Sequence, residues 1–368
     1  MRCPLGCKAI RVVAVCPAYP PDPGGVSDYA RRWAVALAAA GLEVTVITRP
    51  GPHAEDAGVD VRAVQADWGF GGMKALRGAI AAARPDVVVL HYVPHLYQRR
   101  GLSLAVNHAL GGLGAPLVTL AHEIYYARHE GLRRQPIGWL QRYALRPLFA
   151  ASRRVVLTVP DRVSRMQAVF PRWRDRFALI PVGGNLDPTG NRAAWRAAQG
   201  LAPDALALLF LGLAHPSKEL GHLGAALDAV DGRLFLAGGA TLPGATSLGY
   251  VSPAEAADAL AGADLFLLPL ADGASTRRTS LMNALAAGLP VVSTLGVNTD
   301  EALFRGAVRL VPAGDAAAFA GAVRELALDP AARAALGAAG RALYEREFAW
   351  PVLAGRWKAL LEGTLDFR

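Results

Sequence analysis

Residues 264–294 read DLFLLPLADGASTRRTSLMNALAAGLPVVST, and this stretch decides the fold. Its first six residues are almost all apolar, as in a strand buried on both faces, and PVVST (290–294) has the same character. Between them lie a polar, glycine-containing loop and a run of good helix formers. The run ends at Gly288, where a helix needs a left-handed residue. Strand, loop, helix and strand in this order predict one parallel βαβ unit.

The loop of this unit, residues 271–278, follows the carboxyl end of a strand, where open α/β sheets bind ligands. Thr279 or Ser280 is expected to cap the helix, whose free N–H groups and positive dipole end favour an anion. Arg277 and Arg278 add two guanidinium groups suited to diphosphate oxygens. These residues predict an anion site for a phosphorylated ligand. The alternative is a solvated loop whose arginines face water.

The composition of the chain is that of a globular protein. Of its 368 residues, 53% are hydrophobic and 19% are charged, which is enough apolar material for two domains with their own cores. No apolar run reaches the length of a bilayer span, and the N-terminus does not read as a secretory signal, so we expect a cytoplasmic protein. The chain has an odd number of cysteines, Cys3, Cys7 and Cys16, and we interpret all three as free thiols.

Charge is distributed unevenly along the chain. Residues 1–185 contain 24 Lys and Arg against 12 Asp and Glu, whereas residues 186–368 contain 15 against 18. The net charge of +9 therefore comes from the first half, which indicates an anionic partner such as a membrane surface or an acidic acceptor. No aromatic platform for single strands and no known DNA-reading motif is visible, so nucleic acid is not an expected partner.

The first half alternates buried strands with helices. Strands are expected at 10–16, 43–48, 59–64, 86–91, 117–121, 154–159 and 177–182. After the first strand, Gly24-Gly25 lets the backbone approach a ligand closely, and Ser27 or Asp28 is expected to cap a helix. This opening has no G-x-G-x-x-G, which argues against a dinucleotide oxidoreductase.

Two histidines, His91 and His122, each close a predicted parallel strand, where binding sites collect. For His91 we favour a capping or packing role. For His122 we favour a functional role, with the adjacent Glu123 carboxylate orienting the imidazole.

The segment 128–154 alternates seven arginines with apolar and aromatic residues, among them Trp139 and Tyr143. One interpretation is an amphipathic helix on an anionic membrane, with arginines on lipid phosphates and aromatic rings at the interface. The other is an ordinary helix with its apolar stripe in the core and a charged outer face. The sequence favours neither over the other.

GGNLDPTGN (183–191) is the strongest linker signal, so we expect an N-terminal domain at 1–183, a C-terminal domain at 184–349 and a last amphipathic helix from residue 350. In the second domain, strands at 205–212, 233–238, 264–269, 290–294 and 307–311 alternate with helices. We therefore expect two doubly wound domains that meet at a cleft. Such a cleft is the usual place for a small-molecule site.

In series, these segments resemble glycosyltransferase family 4, a retaining, nucleotide-sugar-dependent family. The similar segments cover nearly the whole chain and occur in the family's order: Gly24-Gly25-Val26, His122-Glu123, IPVGGNLD (180–187), GLAHPSK (212–218), LGYVS (248–252), DGASTRRTSLMNALAAGLPVV (272–292) and FAWPVLAGRW (348–357). The resemblance implies an α/β protein with the GT-B fold. In that fold two Rossmann-like, doubly wound domains face a cleft, and the C-terminal helix, here 350–368, crosses back to the N-terminal domain.

The resemblance also implies a set of site residues. The catalytic ones are His122, Glu123, Lys218 and Asp272. The donor-binding ones are Gly24, Gly25, Tyr250, Val251, Ser275, Thr276, Arg277, Arg278, Thr279, Ser280 and Asn283.

The chain departs from the family's pattern at three positions. Leu213 stands where the family has Arg, Asn283 replaces the second family Glu, and Asp272 matches the first after a longer spacer. An Asn can still bind a ribose hydroxyl without charge. We expect Arg277 or Arg278 to replace the missing guanidinium group.

The reaction that the resemblance implies is transfer of a sugar, with retention, from a nucleoside diphosphate to a hydroxyl acceptor, such as a glycolipid or polysaccharide precursor. No cofactor is expected, and no metal is required, because cationic side chains can hold the diphosphate. We expect a cytoplasmic enzyme, peripheral at the inner membrane face, with a lipid-linked acceptor. Two alternatives stay open: a non-catalytic GT-B protein that binds nucleotide sugar, and a nucleotide-sugar epimerase.

Overall fold

The computed structural model describes residues 9–22, 24–64, 67–98, 101–125, 135–213, 215 and 217–366. Cys3, Cys7 and the first part of the basic segment, residues 128–134, lie outside these ranges. The chain divides into two compact units: unit 1 comprises Met1–Ile180 with Leu353–Arg368, and unit 2 comprises Pro181–Val352.

Unit 1 is built on a parallel sheet. In the part of the chain that the structure describes, the sheet has seven strands in the order β3-β2-β1-β4-β5-β6-β7. The strands are β1 (Arg11–Val15), β2 (Glu43–Thr48), β3 (Val59–Ala63), β4 (Val87–Tyr92), β5 (Leu117–Ala121), β6 (Ser152–Leu157) and β7 (Phe177–Leu179). The strand order reverses between β1 and β4, which makes the carboxyl ends of these two strands the expected ligand position.

Helices cover both faces of this sheet, as a parallel sheet requires. They are α1 (Gly25–Ala39), α2 (Met73–Ala82), α3 (Pro94–Tyr97), α4 (Leu104–Ala109), α5 (Gln135–Ala151), α6 (Pro160–Val169) and the C-terminal α14 (Trp350–Leu365). Helix α14 joins unit 1 as expected, because Trp357 is fully buried against Trp33 of α1, with ring centroids 5.6 Å apart.

The start of α1 differs from the sequence expectation. Gly24 occupies the cap position with φ 145° and ψ 150°, and no side chain caps the helix. Ser27 and Asp28, which we expected at the cap, lie inside the first turn, and Ser27 is buried. A backbone cap at Gly24 needs a residue without a Cβ, because φ 145° is open mainly to glycine.

Unit 2 repeats the same architecture. Its described residues form a six-stranded parallel sheet in the order β10-β9-β8-β11-β12-β13. The strands are β8 (Leu206–Leu211), β9 (Gly232–Ala237), β10 (Thr246–Gly249), β11 (Leu265–Leu268), β12 (Val291–Leu295) and β13 (Arg309–Pro312). The helices are α7 (Arg192–Ala198), α8 (Leu220–Asp228), α9 (Pro253–Gly262), α10 (Thr279–Ala286), α11 (Glu301–Phe304), α12 (Ala316–Leu328) and α13 (Pro330–Glu347).

The predicted βαβ unit is confirmed as β11, α10 and β12. Strands β11 and β12 pair in parallel with Phe266 opposite Val291, and Gly288 has φ 69° after the helix. The helix begins at Thr279, with Arg278 in the cap position and no side-chain cap bond, so neither Thr279 nor Ser280 is the cap residue. Every residue of β11 is fully buried, which explains its unbroken apolar sequence.

Across the described ranges, no helix combines the length and the apolar character that crossing a bilayer needs.

Candidate functional site

The main candidate site lies in unit 2 at the carboxyl ends of β8 and β11, the neighbouring strands at which the strand order reverses. The loop after β8 carries Lys218, and the loop after β11 carries Asp272. Backbone hydrogen bonds join the two loops: Glu219 N–H donates to Pro269 O over 3.2 Å, and Ala271 N–H donates to Ser217 O over 2.9 Å. Lys218 is therefore fixed beside the 271–278 loop.

Within that loop, one carboxylate holds two guanidinium groups. Arg277 Nη2 donates to Asp272 Oδ2 over 2.7 Å, and Arg278 Nη2 donates to Asp272 Oδ1. Asn298 Nδ2 also donates to Asp272 Oδ2, over 2.8 Å. Burial alone would raise the pKa of Asp272, but Arg278 and Arg277 outweigh it and hold this pKa below its ordinary value. Asp272 is thus an ionised carboxylate. Together, Asp272, Arg277 and Arg278 carry one net positive charge.

Lys218 adds a second positive charge from the adjacent loop. Its Nζ lies 4.9 Å from the centroid of the Phe210 ring. Burial, and then the nearby Arg278 charge, lower the pKa of Lys218 to about 8. Gly212 makes room for this ammonium group, because a Cβ at Gly212 would collide with Nζ. A cation that is partly desolvated and faces other cations is stabilised by binding an anion.

Further residues of the predicted donor set lie in the same unit. Thr276 and Ser275 are buried, and Thr276 O accepts a hydrogen bond from Val182 N–H over 2.9 Å. Tyr250 is 82% exposed and its ring borders Gly239. Leu213, which stands where the resemblance calls for Arg, is 60% exposed.

Asn283 lies on the buried side of α10 and is tied to the segment after β7. Its Oδ1 accepts the N–H groups of Asn185 over 2.9 Å and of Leu186 over 3.2 Å. Its Nδ2 donates to Asn185 Oδ1 over 2.8 Å. Both acceptor sites of the amide oxygen are used, and one N–H of the amide has no hydrogen-bond partner among the described residues. A contact with a ribose stays a prediction.

The second candidate position is in unit 1. His91 is the penultimate residue of β4 and His122 follows β5, and their rings are stacked with centroids 5.5 Å apart. His91 Nδ1 and His122 Nε2 lie 3.3 Å apart. Glu123, which we expected to orient His122, is exposed, and among the described residues the His122 ring is hydrogen-bonded to His91 instead. Gly24 and Gly25 lie at the N-terminus of α1, with open space where a Cβ would be.

Sequence reasoning did not find some of these contacts. Asn298 lies in the loop after β12, three residues past the strand. Its position at a carboxyl end of the sheet could have marked it as a candidate site residue. The partners of Asn283 could not be found this way, because they lie about 100 positions away along the chain.

In the described residues, no three His, Cys, Asp or Glu side chains form a group that could hold a metal ion.

Comparison with known proteins defines the class of this fold and site. The family model for a glycosyl transferase 4-like domain matches residues 24–183, and the model for glycosyl transferases group 1 matches residues 205–329. The chain belongs to the glycosyltransferases of family 4 and has the GT-B fold.

Two D-inositol 3-phosphate glycosyltransferases are similar to it in sequence. The one from Actinosynnema mirum is 28% identical over 385 residues, which covers 89% of each protein. The one from Nocardia farcinica is 28% identical over 218 residues, and that match spans 54% of this chain and about half, 48%, of the relative.

Solved structures share the architecture. Sucrose-phosphate synthase from Thermosynechococcus elongatus superposes with a TM-score of 0.78 at 20% identity, covering 98% of this chain and 100% of that one. The Anabaena protein HepE in complex with UDP-glucose gives a TM-score of 0.70 at 14% identity, covering 96% and 100%. At these identities the likeness shows the fold.

Proposed function

We propose that this glycosyltransferase moves a sugar, with retention, from a nucleoside diphosphate to a hydroxyl acceptor. The observation that carries the proposal is the cationic cluster of Lys218, Arg277 and Arg278 at the carboxyl ends of β8 and β11. Anions bind in this position of a doubly wound sheet, and α10 points its N-terminus at the same loop. The UDP-glucose bound to HepE is a donor of the proposed kind.

The chemistry follows from where charge develops. As the bond between the anomeric carbon and the diphosphate breaks, negative charge grows on the leaving phosphate, and Lys218 and the two arginines stabilise it. The acceptor oxygen forms the new bond to the anomeric carbon, and its proton passes to the leaving phosphate, so no protein base is assigned. Asp272 is proposed to bind the donor sugar. His122 is proposed to contact sugar hydroxyls.

The surface of α5 supports a membrane-associated acceptor. The apolar stripe of Leu145, Leu148 and Phe149 is buried in the core of unit 1, as in an ordinary helix. The outer face, however, also carries Trp139 and Tyr143, which are 63% and 62% exposed.

Arg146 lies over the Tyr143 ring, 5.4 Å from its centroid. Exposed aromatic rings among arginines suit the interface of an anionic bilayer. We therefore propose that the acceptor is lipid-linked and that the enzyme works at the cytoplasmic membrane face, as a peripheral protein without a cofactor.

The donor is tested with a panel of nucleoside-diphosphate sugars, by measuring release of nucleoside diphosphate with and without lipid acceptors. We expect release that depends on acceptor, and an anomeric configuration in the product that matches the donor. Conversion of a donor sugar without acceptor would instead show an epimerase. Selective donor binding without release under any condition would show a non-catalytic protein.

Binding of the outer face of α5 to a membrane is tested by co-sedimentation of the protein with vesicles of anionic or purely zwitterionic phospholipid. Replacing Trp139 and Tyr143 together by Ala is expected to weaken binding to anionic vesicles by about tenfold or more. Phe70→Ala is the matched control, because Phe70 is an exposed aromatic elsewhere in unit 1, at 68% exposure. Equal loss in the control, or no loss in the double variant, would contradict this assignment.

A further inference from the structure

A second imidazole lies directly against His122. His91, at the end of β4, is fully buried, whereas His122 keeps part of its surface exposed. The strands that carry them are neighbours in the sheet, with His91 opposite Leu120 of β5. This register stacks the two rings at 28° and brings His91 Nδ1 within 3.3 Å of His122 Nε2.

The two rings share one hydrogen-bonding proton. Burial lowers the pKa of His91 well below its ordinary value, and burial lowers the pKa of His122 to about 4. Both imidazoles are therefore neutral near pH 7, and each has one N–H and one bare nitrogen. Between His91 Nδ1 and His122 Nε2, one nitrogen is the donor and the other is the acceptor.

The far side of His91 makes no competing hydrogen bond in the part of the chain that the structure describes. His91 Nε2 is buried and has no hydrogen-bond partner there. The ring packs against Trp33, with centroids 4.9 Å apart and planes at 85°. The contact with His122 is therefore the hydrogen bond that couples the tautomers of the two rings.

We propose that His91 is a positioning residue that holds the His122 ring in one orientation and one tautomer, and so presents His122 Nδ1 to a substrate hydroxyl group in a single hydrogen-bonding role. A ring nitrogen that is fixed by a second group keeps one orientation and one tautomer, so His122 Nδ1 does not switch between donor and acceptor. Only this last step, toward the substrate, rests on the proposed function.

The tautomer is measured on the ligand-free protein, labelled with ¹⁵N-histidine, by long-range ¹H–¹⁵N correlation. The His122 signals are assigned by their loss in His122→Gln. We expect one dominant tautomer at His122 in the wild type, and a mixture of the two tautomers in His91→Phe. A mixture in the wild type, or the same single tautomer in His91→Phe, would overturn the proposal, whatever the enzyme transfers.

Kinetics test the link to catalysis. His91→Phe is expected to lower kcat/KM for transfer about tenfold, the scale of one hydrogen bond, and to cost nothing further in a His122→Ala background. His91→Asn, whose side-chain amide can accept or donate in the place of Nδ1, is expected to restore part of the activity. Losses that simply multiply in the double variant would show that His91 acts independently of His122. Failure to find any transferase activity would reject the proposed function and leave the tautomer result standing.

Discussion

Arg277 Nη2 donates a hydrogen bond to Asp272 Oδ2 over 2.7 Å, within the loop that follows β11. Arg278 binds the other oxygen of the same carboxylate. In the ligand-free protein Asp272 therefore occupies the guanidinium groups that we assign to a diphosphate. An incoming diphosphate must share these donors with Asp272 and approach its negative charge.

The substitution Asp272→Asn separates two effects of the carboxylate: its repulsion of the diphosphate and its proposed contact with the donor sugar. Removing its charge takes away repulsion toward the ligand, so we expect the variant to bind free nucleoside diphosphate more tightly, by about threefold to tenfold. The transfer rate should fall, because the proposed contact with the donor sugar is lost. Titration calorimetry and a transfer assay measure the two effects.

The matched control is Asn298→Ala, which removes a neutral partner of Asp272 and keeps the carboxylate. Its affinity for nucleoside diphosphate should stay near that of the wild type. Weaker binding in Asp272→Asn would show that the arginines need the carboxylate for their position.

Gly212 is predicted to be required for the position of Lys218. In Gly212→Ala the new Cβ would meet the ammonium group, and φ 144° is strained for a residue with a side chain. We expect donor affinity to fall by about tenfold or more, measured by calorimetry. Gly221→Ala in α8 is the control, because no atom lies within 4 Å of a Cβ there. Equal affinity in the two variants would contradict the placement of Lys218.

The affinity for diphosphate is expected to depend on pH through Lys218. Burial and Arg278 lower the pKa of Lys218 from its ordinary 10.5 to about 8 in the free protein, and a bound diphosphate would raise it again. The contribution of Lys218 to affinity should therefore be constant below about pH 8 and fall as pH rises above it. The same shift means that the unfolded chain binds more protons between pH 8 and 10.5, so this group makes the fold more stable as pH rises through that window.

Comparison with Lys218→Gln isolates the effect of Lys218, since titration of the ligand itself is common to both proteins. The difference in log affinity between the two should shrink as pH rises from 8. A constant difference over this range would rule out Lys218 as the titrating group.

Asn283 is predicted to stabilise unit 2 through its contacts with residues 185 and 186. Asn283→Ala leaves the N–H groups of Asn185 and Leu186 without their acceptor, at a cost of about 1–3 kcal/mol for each group that stays unsatisfied. We expect a lower thermal midpoint. Asn283→Asp keeps an acceptor oxygen and should lose less stability. A midpoint in Asn283→Ala equal to that of the wild type would refute this structural role.

Much of the architecture was predictable, because most of the buried strands are apolar runs in the sequence. Both doubly wound sheets, the βαβ unit at β11 and the position of its loop were predicted correctly. The short helices α3, α4, α7 and α11 were not, since four to seven residues carry too little helical periodicity, and β10 was not, because its sequence TSLG is not an apolar run. The helix caps were also wrong, because at Gly24 and Arg278 the backbone turns without help from a side chain.

For the candidate site, residue type and position in the βαβ unit indicated Arg277 and Arg278, and the family resemblance added Lys218 and Asp272. They could not show that Asp272 pairs with both arginines, since this depends on side-chain conformations in a loop. Nor could they show that His91 rather than Glu123 bonds the His122 ring. That contact depends on the register of β4 against β5, which adjacent parallel strands acquire only in the folded sheet.

The most direct test of the central claim, that the loop after β11 binds a diphosphate, is titration of nucleoside diphosphates into wild type, Arg277→Ala and Arg278→Ala with a chelator present. We expect the wild type to bind at least one of them, and each variant to lose about tenfold to 100-fold in affinity, the scale of a charge-assisted hydrogen bond. Arg305→Ala, at an exposed arginine of unit 2 whose side chain is 76% accessible, should bind as the wild type does. Unchanged affinity in both loop variants, or no binding by the wild type, would contradict the assignment.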